Sequence, residues 1–148
     1  MQNTANLYET DFYAWTQQQE ELLRQKKINN LDLIHLQEEL HLMGATEKRE
    51  LSHRLEVLLM HLLKWKYQPA RQCKSWTRTI KVQRLDITQH LRSNPSLNAK
   101  VNEYISNAYE KAVIFAADET NLDEEVFPNN CEWSVAQILD LDNNFLPS

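Results

Sequence analysis

A single glycine, Gly44, is the feature that most limits how this chain of 148 residues can fold. Sheet proteins built from hairpins need residues that tolerate positive φ at their turns, and one glycine cannot serve many of them. Good helix formers, chiefly leucine, glutamate, glutamine, lysine and alanine, fill the sequence instead. We therefore predict an all-α protein. Its length fits one helical domain covering residues 1–148, a bundle of four or five main helices with a short C-terminal helix.

Apolar residues at three- and four-residue spacing predict where the helices lie. The predicted main helices are Asp11 (as N-cap) to Lys27, Leu33 to Gly44, Glu47 to Tyr67, Ser75 (as N-cap) to Ser93, and Pro95 to Ala117. Ser134 and Gln137 form a capping box for the short last helix. The second helix is expected to bury a stripe of Leu33, Leu36, Leu40 and Met43. In the fifth helix, the small residues Ala108, Ala112 and Ala116 would let a neighbouring helix approach closely.

The segment Gly44-Ala45-Thr46 allows two interpretations. Glycine can end a helix, and Thr46 can cap the next one. A continuous helix would cost only about 1 kcal/mol for the glycine relative to alanine. We predict a bend or a short break at this point.

The net charge of −5 conceals an uneven distribution. Residues 64–92 hold eight lysines and arginines against one acid, which gives +7, whereas residues 101–148 hold ten acids against one lysine, which gives −9. This asymmetry indicates a basic surface that meets a partner, or one that the acidic segment of the same chain covers.

The N-terminal sequence has neither the basic region nor the apolar region of an export signal. The longest apolar run, from Val57 to Leu63, is far too short to span a bilayer. We therefore expect a cytoplasmic protein without a membrane segment, and we expect Cys73 and Cys131 to be free thiols.

Several motifs resemble a known family, domain of unknown function family 29, a group of small bacterial helical proteins. They are Leu-Tyr-Glu-Thr-Asp-Phe-Tyr-Ala-Trp at residues 7–15, Glu-Glu-Leu-x-x-Met-Gly at 38–44, His61-Leu-Leu-Lys64-Trp65 with Gln68-Pro69 and Ser75-Trp76, Pro95-Ser96-Leu97, and Phe127-Pro128 with Cys131. The resemblance covers nearly the whole chain and implies an all-helical fold. It implies no activity, cofactor or catalytic residue. One departure is Glu132, where the family pattern has proline.

Two Glu-x-x-His pairs, Glu38 with His41 and Glu50 with His53, match part of the ligand set of di-iron bundles. At about 100° per residue, Glu38 and His53 lie nearly opposite the apolar stripes of their helices. Ligands of a bundle metal site must point inward, so we interpret these pairs as solvated helix faces and predict neither a metal nor a cofactor.

The turn around Gln68-Pro69 is the candidate binding corner, made of His61, Lys64, Arg71 and Trp76 with Arg84 behind it. His61 at this corner is either a general base in a small cleft or, as we favour, a histidine that hydrogen-bonds a neighbouring helix. Arg84 shares the apolar face of the fourth helix and must be paired, with Glu39 or Glu47 as the candidate partners. An ion pair that fixes helix packing is the favoured interpretation, and an anion-binding arginine is the alternative.

The back of the fourth helix carries Lys74, Arg78 and Lys81, which are candidates for contacting phosphates. The acidic overall composition argues against nucleic acid without excluding it. The favoured function is a non-enzymatic interaction or regulatory module with a protein partner or a second copy of the chain. The alternatives are a nucleic-acid-binding protein that uses residues 64–92 and a hydrolase-type enzyme that uses His61.

Overall fold

The computed structural model describes the backbone of residues 4–148 and the side chains from residue 7 onward. Within this range every regular element is helical. The α-helices are α1 (Thr4–Thr10), α2 (Phe12–Arg24), α3 (Leu33–Tyr67), α4 (Lys74–Ser93), α5 (Pro95–Asn98), α6 (Val101–Thr120) and α7 (Val135–Ile138). Short 3-10 turns lie at Ile28–Asn30, Pro69–Arg71 and Glu124–Val126. The all-α prediction is confirmed, with α2, α3, α4 and α6 as main helices and α7 as the short C-terminal helix.

The chain divides into two compact units, one ending at Thr46 and the other running from Glu47 to Ser148. The backbone of α3 passes through the boundary without interruption. The single domain inferred from chain length stays a prediction.

Of the predicted bend or short break at Gly44, the break is wrong, because α3 is one helix of 35 residues. Thr46 caps no new helix. Its hydroxyl donates instead to the carbonyl of Leu42, one turn back, at 2.9 Å. The cost of one interior glycine is small beside the hydrogen bonds that a continuous helix keeps on either side.

The first unit is held together by polar contacts around Asp32, just before α3. Asp11 caps α2 as predicted, its carboxylate accepting from the amide of Ala14 at 3.1 Å. The buried Trp15 donates its indole N–H to Asp32 at 3.0 Å, and the buried Gln19 accepts from the Asp32 amide at 2.8 Å. The carboxylate of Asp32 also lies 2.7 Å from Nδ1 of His35. These bonds attach α2 to the start of α3.

The predicted buried stripe on the N-terminal part of α3 is largely wrong. Leu33, Leu40 and Met43 are 64%, 66% and 64% exposed. Their spacing reports a helix correctly, but periodicity contains no information about which partner covers the apolar face.

The core of the second unit lies where the C-terminal half of α3 meets α4 and α6. The α3 leucines from Leu51 to Leu63 are at most 1% exposed. Ala108, Ala112 and Ala116 of α6 are buried in the same core. Close packing of this kind supplies most of the stability of such helices.

Two predicted helix boundaries are wrong. The fourth helix begins at Lys74, with Cys73 rather than Ser75 in the N-cap position. The predicted fifth helix is divided into α5 and α6, because the chain makes a tight turn at Ala99-Lys100, where the Lys100 amide donates to the Leu97 carbonyl at 3.2 Å.

The capping box at the start of α7 is confirmed. The Gln137 amide donates to the Ser134 hydroxyl at 3.2 Å, and the Ser134 amide donates to the Gln137 side chain at 2.9 Å. These bonds fix α7, and with it the direction of the C-terminal tail, residues 139–148. Among the helices of residues 4–148, none combines the length and the apolar character needed to cross a bilayer.

Candidate functional site

Arg84 is the most deeply buried charged residue of the described chain, at 1% exposure. Its Nε donates to the carbonyl of Ile138 at 2.9 Å, and its Nη2 donates to the carbonyls of Gln137 at 3.1 Å and Phe145 at 2.9 Å. The last carbonyls of a helix have no partner within the helix, so the end of α7 offers acceptors that a guanidinium can satisfy. Arg84 therefore fastens the C-terminal tail to α4.

The predicted carboxylate partners of Arg84 are wrong. Glu39 accepts a hydrogen bond from Tyr8, and Glu47 lies beside His90. Burial lowers the pKa of Arg84 and nearby Asp140 raises it, but a guanidinium keeps its charge in proteins. Sequence alone could not identify backbone carbonyls more than 50 residues away as the partners.

A groove of about 470 Å³ runs along α4 beside the tail. We call it the basic groove. Its lining residues are Lys74, Thr77, Arg78, Ile80, Lys81, Arg84, Asn143 and Leu146. The lining holds four cations and no acid. It joins Arg84, which the sequence analysis assigned to the candidate binding corner, with the three cations that it assigned to the back of α4.

The three exposed cations of the basic groove are unpaired. Across the described residues, no hydrogen bond or ion pair is formed by the side chains of Lys74, Arg78 or Lys81, all of which are exposed. Asn143 contributes a polar wall, its side-chain oxygen lying 3.4 Å from Nη1 of Arg84. The groove thus has unsatisfied positive charge over an apolar floor formed by Ile80 and Leu146.

The acidic segment covers a different part of the basic surface. Glu119 pairs with Lys64, and Glu132 lies 3.5 Å from Lys66. Intramolecular neutralisation, one of the two outcomes expected from the charge distribution, therefore applies to the end of α3. It does not extend to the basic groove.

The candidate binding corner is only partly assembled. Lys64 is buried, with its ammonium 4.6 Å from the centre of the Trp76 ring. Arg71 is exposed in the turn after α3. Arg84 follows Trp76 by eight residues on α4, a rise of about 12 Å along the helix. Arg84 therefore belongs to the basic groove rather than to the corner.

His61 makes its hydrogen bond within its own helix. Its Nδ1 lies 2.9 Å from the carbonyl of Val57, not from a neighbouring helix. Burial lowers the pKa of His61, and the nearby Lys64 lowers it further. No hydroxyl, thiol or carboxylate of the described residues hydrogen-bonds to this imidazole, so the geometry offers it no nucleophile to activate.

Sequence reasoning did not find two clusters of titratable side chains. One is the Asp32–His35 pair in the first unit, for which the position of Asp32 directly before a helix was an available signal. The other brings His90 of α4 beside Glu47 and Glu50 of α3. No local signal could have found it, because it depends on the packing of α4 against α3.

The fold and the groove together define a class: small all-helical proteins whose main unit carries an open basic groove bordered by its C-terminal tail. The chain belongs to the family described as "Domain of unknown function DUF29", whose model matches residues 7–146. The resemblance inferred from the motifs is confirmed. No curated protein and no solved structure shows a significant match to the chain.

Proposed function

We propose that this protein is a non-enzymatic interaction module and that the basic groove binds an acidic segment of a protein partner. The observation that carries the proposal is the lining of the groove, which holds four cations and no acid. An unpaired cluster of one sign attracts ligands of the other sign and selects against like-charged ones.

The spacing of the cations suits an extended ligand. Lys74, Arg78 and Lys81 are separated by four and three residues, which places them one above the other along a single face of α4. This row is about 10 Å long, the length of roughly three residues of extended peptide. Acidic side chains along such a peptide would meet the row one after another.

Two features favour an acidic peptide over nucleic acid. The floor of the groove is apolar at Ile80 and Leu146, which suits a peptide that carries a hydrophobic side chain among its acids. The whole chain has a net charge of −5, and residues 101–148 alone contribute −9, so a long polyanion would be repelled outside the groove.

The apolar side chains left exposed on α3 add support for an interaction module. Leu33, Ile34, Leu40, Leu42 and Met43 are each at least half exposed. Of these, Leu33, Leu40 and Met43 share one face of α3, and exposed apolar patches are typical of proteins that associate with others.

The proposal is tested by fluorescence anisotropy with a labelled peptide of alternating glutamate and leucine at low salt. The protein should bind this peptide in preference to the glutamine version, with an affinity that falls as salt is added. The double variant Arg78→Gln, Lys81→Gln should bind about fivefold to tenfold more weakly, since each exposed pair contributes up to about 1 kcal/mol.

The matched control is Lys48→Gln, Arg49→Gln, which removes the same charge from exposed positions of α3 outside the groove. An equal loss in the control would overturn the proposal, as would equal affinity for the glutamine peptide. Tighter binding of a DNA or RNA oligonucleotide than of the acidic peptide would replace it with the nucleic-acid-binding function.

A further inference from the structure

A second site lies on the other end of α4, where His90 meets α3. Glu47 and Glu50 are one turn apart on α3, and His90 is in the last turn of α4. One donor atom from each of the three side chains lies within 4.8 Å of the other two. All three residues belong to the second unit.

The hydrogen bond of His90 determines which ring nitrogen is free. Nε2 lies 2.9 Å from the backbone carbonyl of Glu47, and because a carbonyl only accepts, Nε2 must carry a proton. In the neutral imidazole the lone pair is then on Nδ1. This atom forms no hydrogen bond with the described residues and faces Oε2 of Glu50 at 3.6 Å.

A lone pair opposite a carboxylate oxygen is unfavourable unless a positive charge lies between them. The side chain of His90 is only 8% exposed, whereas that of Glu50 is 42% exposed, so water reaches this contact from the carboxylate side only. A bound metal cation would supply the charge.

The surroundings resemble the outer ligand shell of a metal site. Nε and Nη2 of Arg54 hold Oε1 of Glu50 at 3.2 and 3.1 Å, which turns Oε2 toward His90. Arg54 is itself fixed by Asp86 at 3.0 Å. A histidine whose other nitrogen donates to a carbonyl, beside an oriented carboxylate, is the usual arrangement around protein-bound zinc.

We propose that Glu47, Glu50 and His90 bind a divalent transition metal such as Zn²⁺ through one imidazole nitrogen and two carboxylate oxygens. The donor set matches the preference of Zn²⁺ and Co²⁺ for mixed nitrogen and oxygen ligands. Ligands around such an ion are about 3.4 Å apart in a tetrahedron with bonds of about 2.0–2.1 Å. Arg54 already directs Glu50 toward Nδ1, whereas the carboxylate of Glu47 lies 3.5 Å from Nε2, is 47% exposed and can rotate toward the ion. Water would take the remaining position.

The test is titration of the metal-free full chain with Co²⁺, followed by visible absorption, and with Zn²⁺, followed by calorimetry and thermal unfolding. We expect one equivalent of metal to bind and to raise the unfolding temperature. His90→Gln should abolish the Co²⁺ absorption band. Glu47→Gln, which changes an exposed side chain and should leave the fold intact, should weaken binding about tenfold or more.

His53→Gln is the matched control. His53 is on α3, as are Glu47 and Glu50, and its side chain is 75% exposed. Because it lies 3.9 Å from Glu56, it represents adventitious metal binding by a surface histidine. The His53→Gln variant should bind the metal with the same affinity and stoichiometry as the unmodified chain. Absence of stoichiometric binding to the unmodified chain, or the same loss in the His53→Gln variant, would overturn the metal site.

Discussion

At the scale of single residues, the molecule depends most on Arg84. Replacing it with methionine keeps much of the side-chain volume but leaves two carbonyls of α7 and one of the C-terminal tail without this donor. We expect the free energy of unfolding to fall by about 2–4 kcal/mol, the usual effect of removing one partner from a buried, charged hydrogen-bond network. Urea denaturation followed by circular dichroism measures this change.

The control for that change is Arg78→Met, six residues earlier on the same helix. Its side chain is exposed and unpaired, so we expect its effect on stability to stay within about 0.5 kcal/mol. Equal stability of the two variants would show that the tail is not held by Arg84.

Asp32 gives the first unit a dependence on pH. Burial raises the pKa of Asp32, but hydrogen bonds from His35 and Trp15 outweigh it, and the pKa is lower in the folded chain than in the unfolded one. Stability from this carboxylate is therefore fully present above the ordinary aspartate pKa of about 3.9 and is lost as the pH falls through the lower, folded value.

Asp32→Asn should consequently destabilise the chain at neutral pH, and the difference from the unmodified protein should shrink below about pH 3.9. The indole N–H signal of Trp15 in a ¹⁵N NMR spectrum reports the hydrogen bond to Asp32. Following this signal as urea is added, at several pH values, measures the effect. Asp118→Asn, at an exposed position of α6, serves as the comparison and should show no such trend. A constant difference at all pH values would contradict the role of Asp32.

At the scale of elements, the continuity of α3 makes Gly44 a replaceable residue. A Cβ added at Gly44 would meet nothing within 4 Å, and no glycine in the described chain has positive φ. Gly44→Ala should stabilise the protein by about 0.5–1 kcal/mol, because alanine restricts the unfolded chain and favours the helix. Thermal unfolding provides the measurement.

The contrasting change is Gly44→Pro, which removes a hydrogen bond from the helix interior and should cost about 3 kcal/mol or more. If both variants behaved like the unmodified chain, the helix would have to be interrupted at Gly44 in solution.

The same elements show what the sequence could predict. The capping of α2 by Asp11 and the capping box of α7 depend on residues within three positions of one another, and both predictions are confirmed. The division at Ala99-Lys100 and the exposure of Leu33 could not be predicted, because packing rather than local pattern decides them.

At the scale of the whole molecule, the distribution of charge was predicted better than the contacts that result from it. The counts of basic and acidic residues follow from the sequence, but only the structure shows that the acidic segment reaches Lys64 and Lys66 and leaves the basic groove open. Likewise, the basic row of Lys74, Arg78 and Lys81 was visible in the sequence. That this row lies in one groove with Arg84 and Asn143 depends on the path of the tail, which only the structure shows. Both sets of contacts that the sequence did not predict join residues more than 50 positions apart.

The attachment of the tail to Arg84 also sets an order of events during synthesis. The acceptors of Arg84 follow it by 53 to 61 residues, so at about 5–20 residues per second they leave the ribosome about 3–12 seconds later. During that interval the guanidinium has only water as its partner, and the groove lacks the wall that Asn143 and Leu146 provide. A nascent chain therefore acquires its complete groove only after Asn143 and Leu146 have left the ribosome.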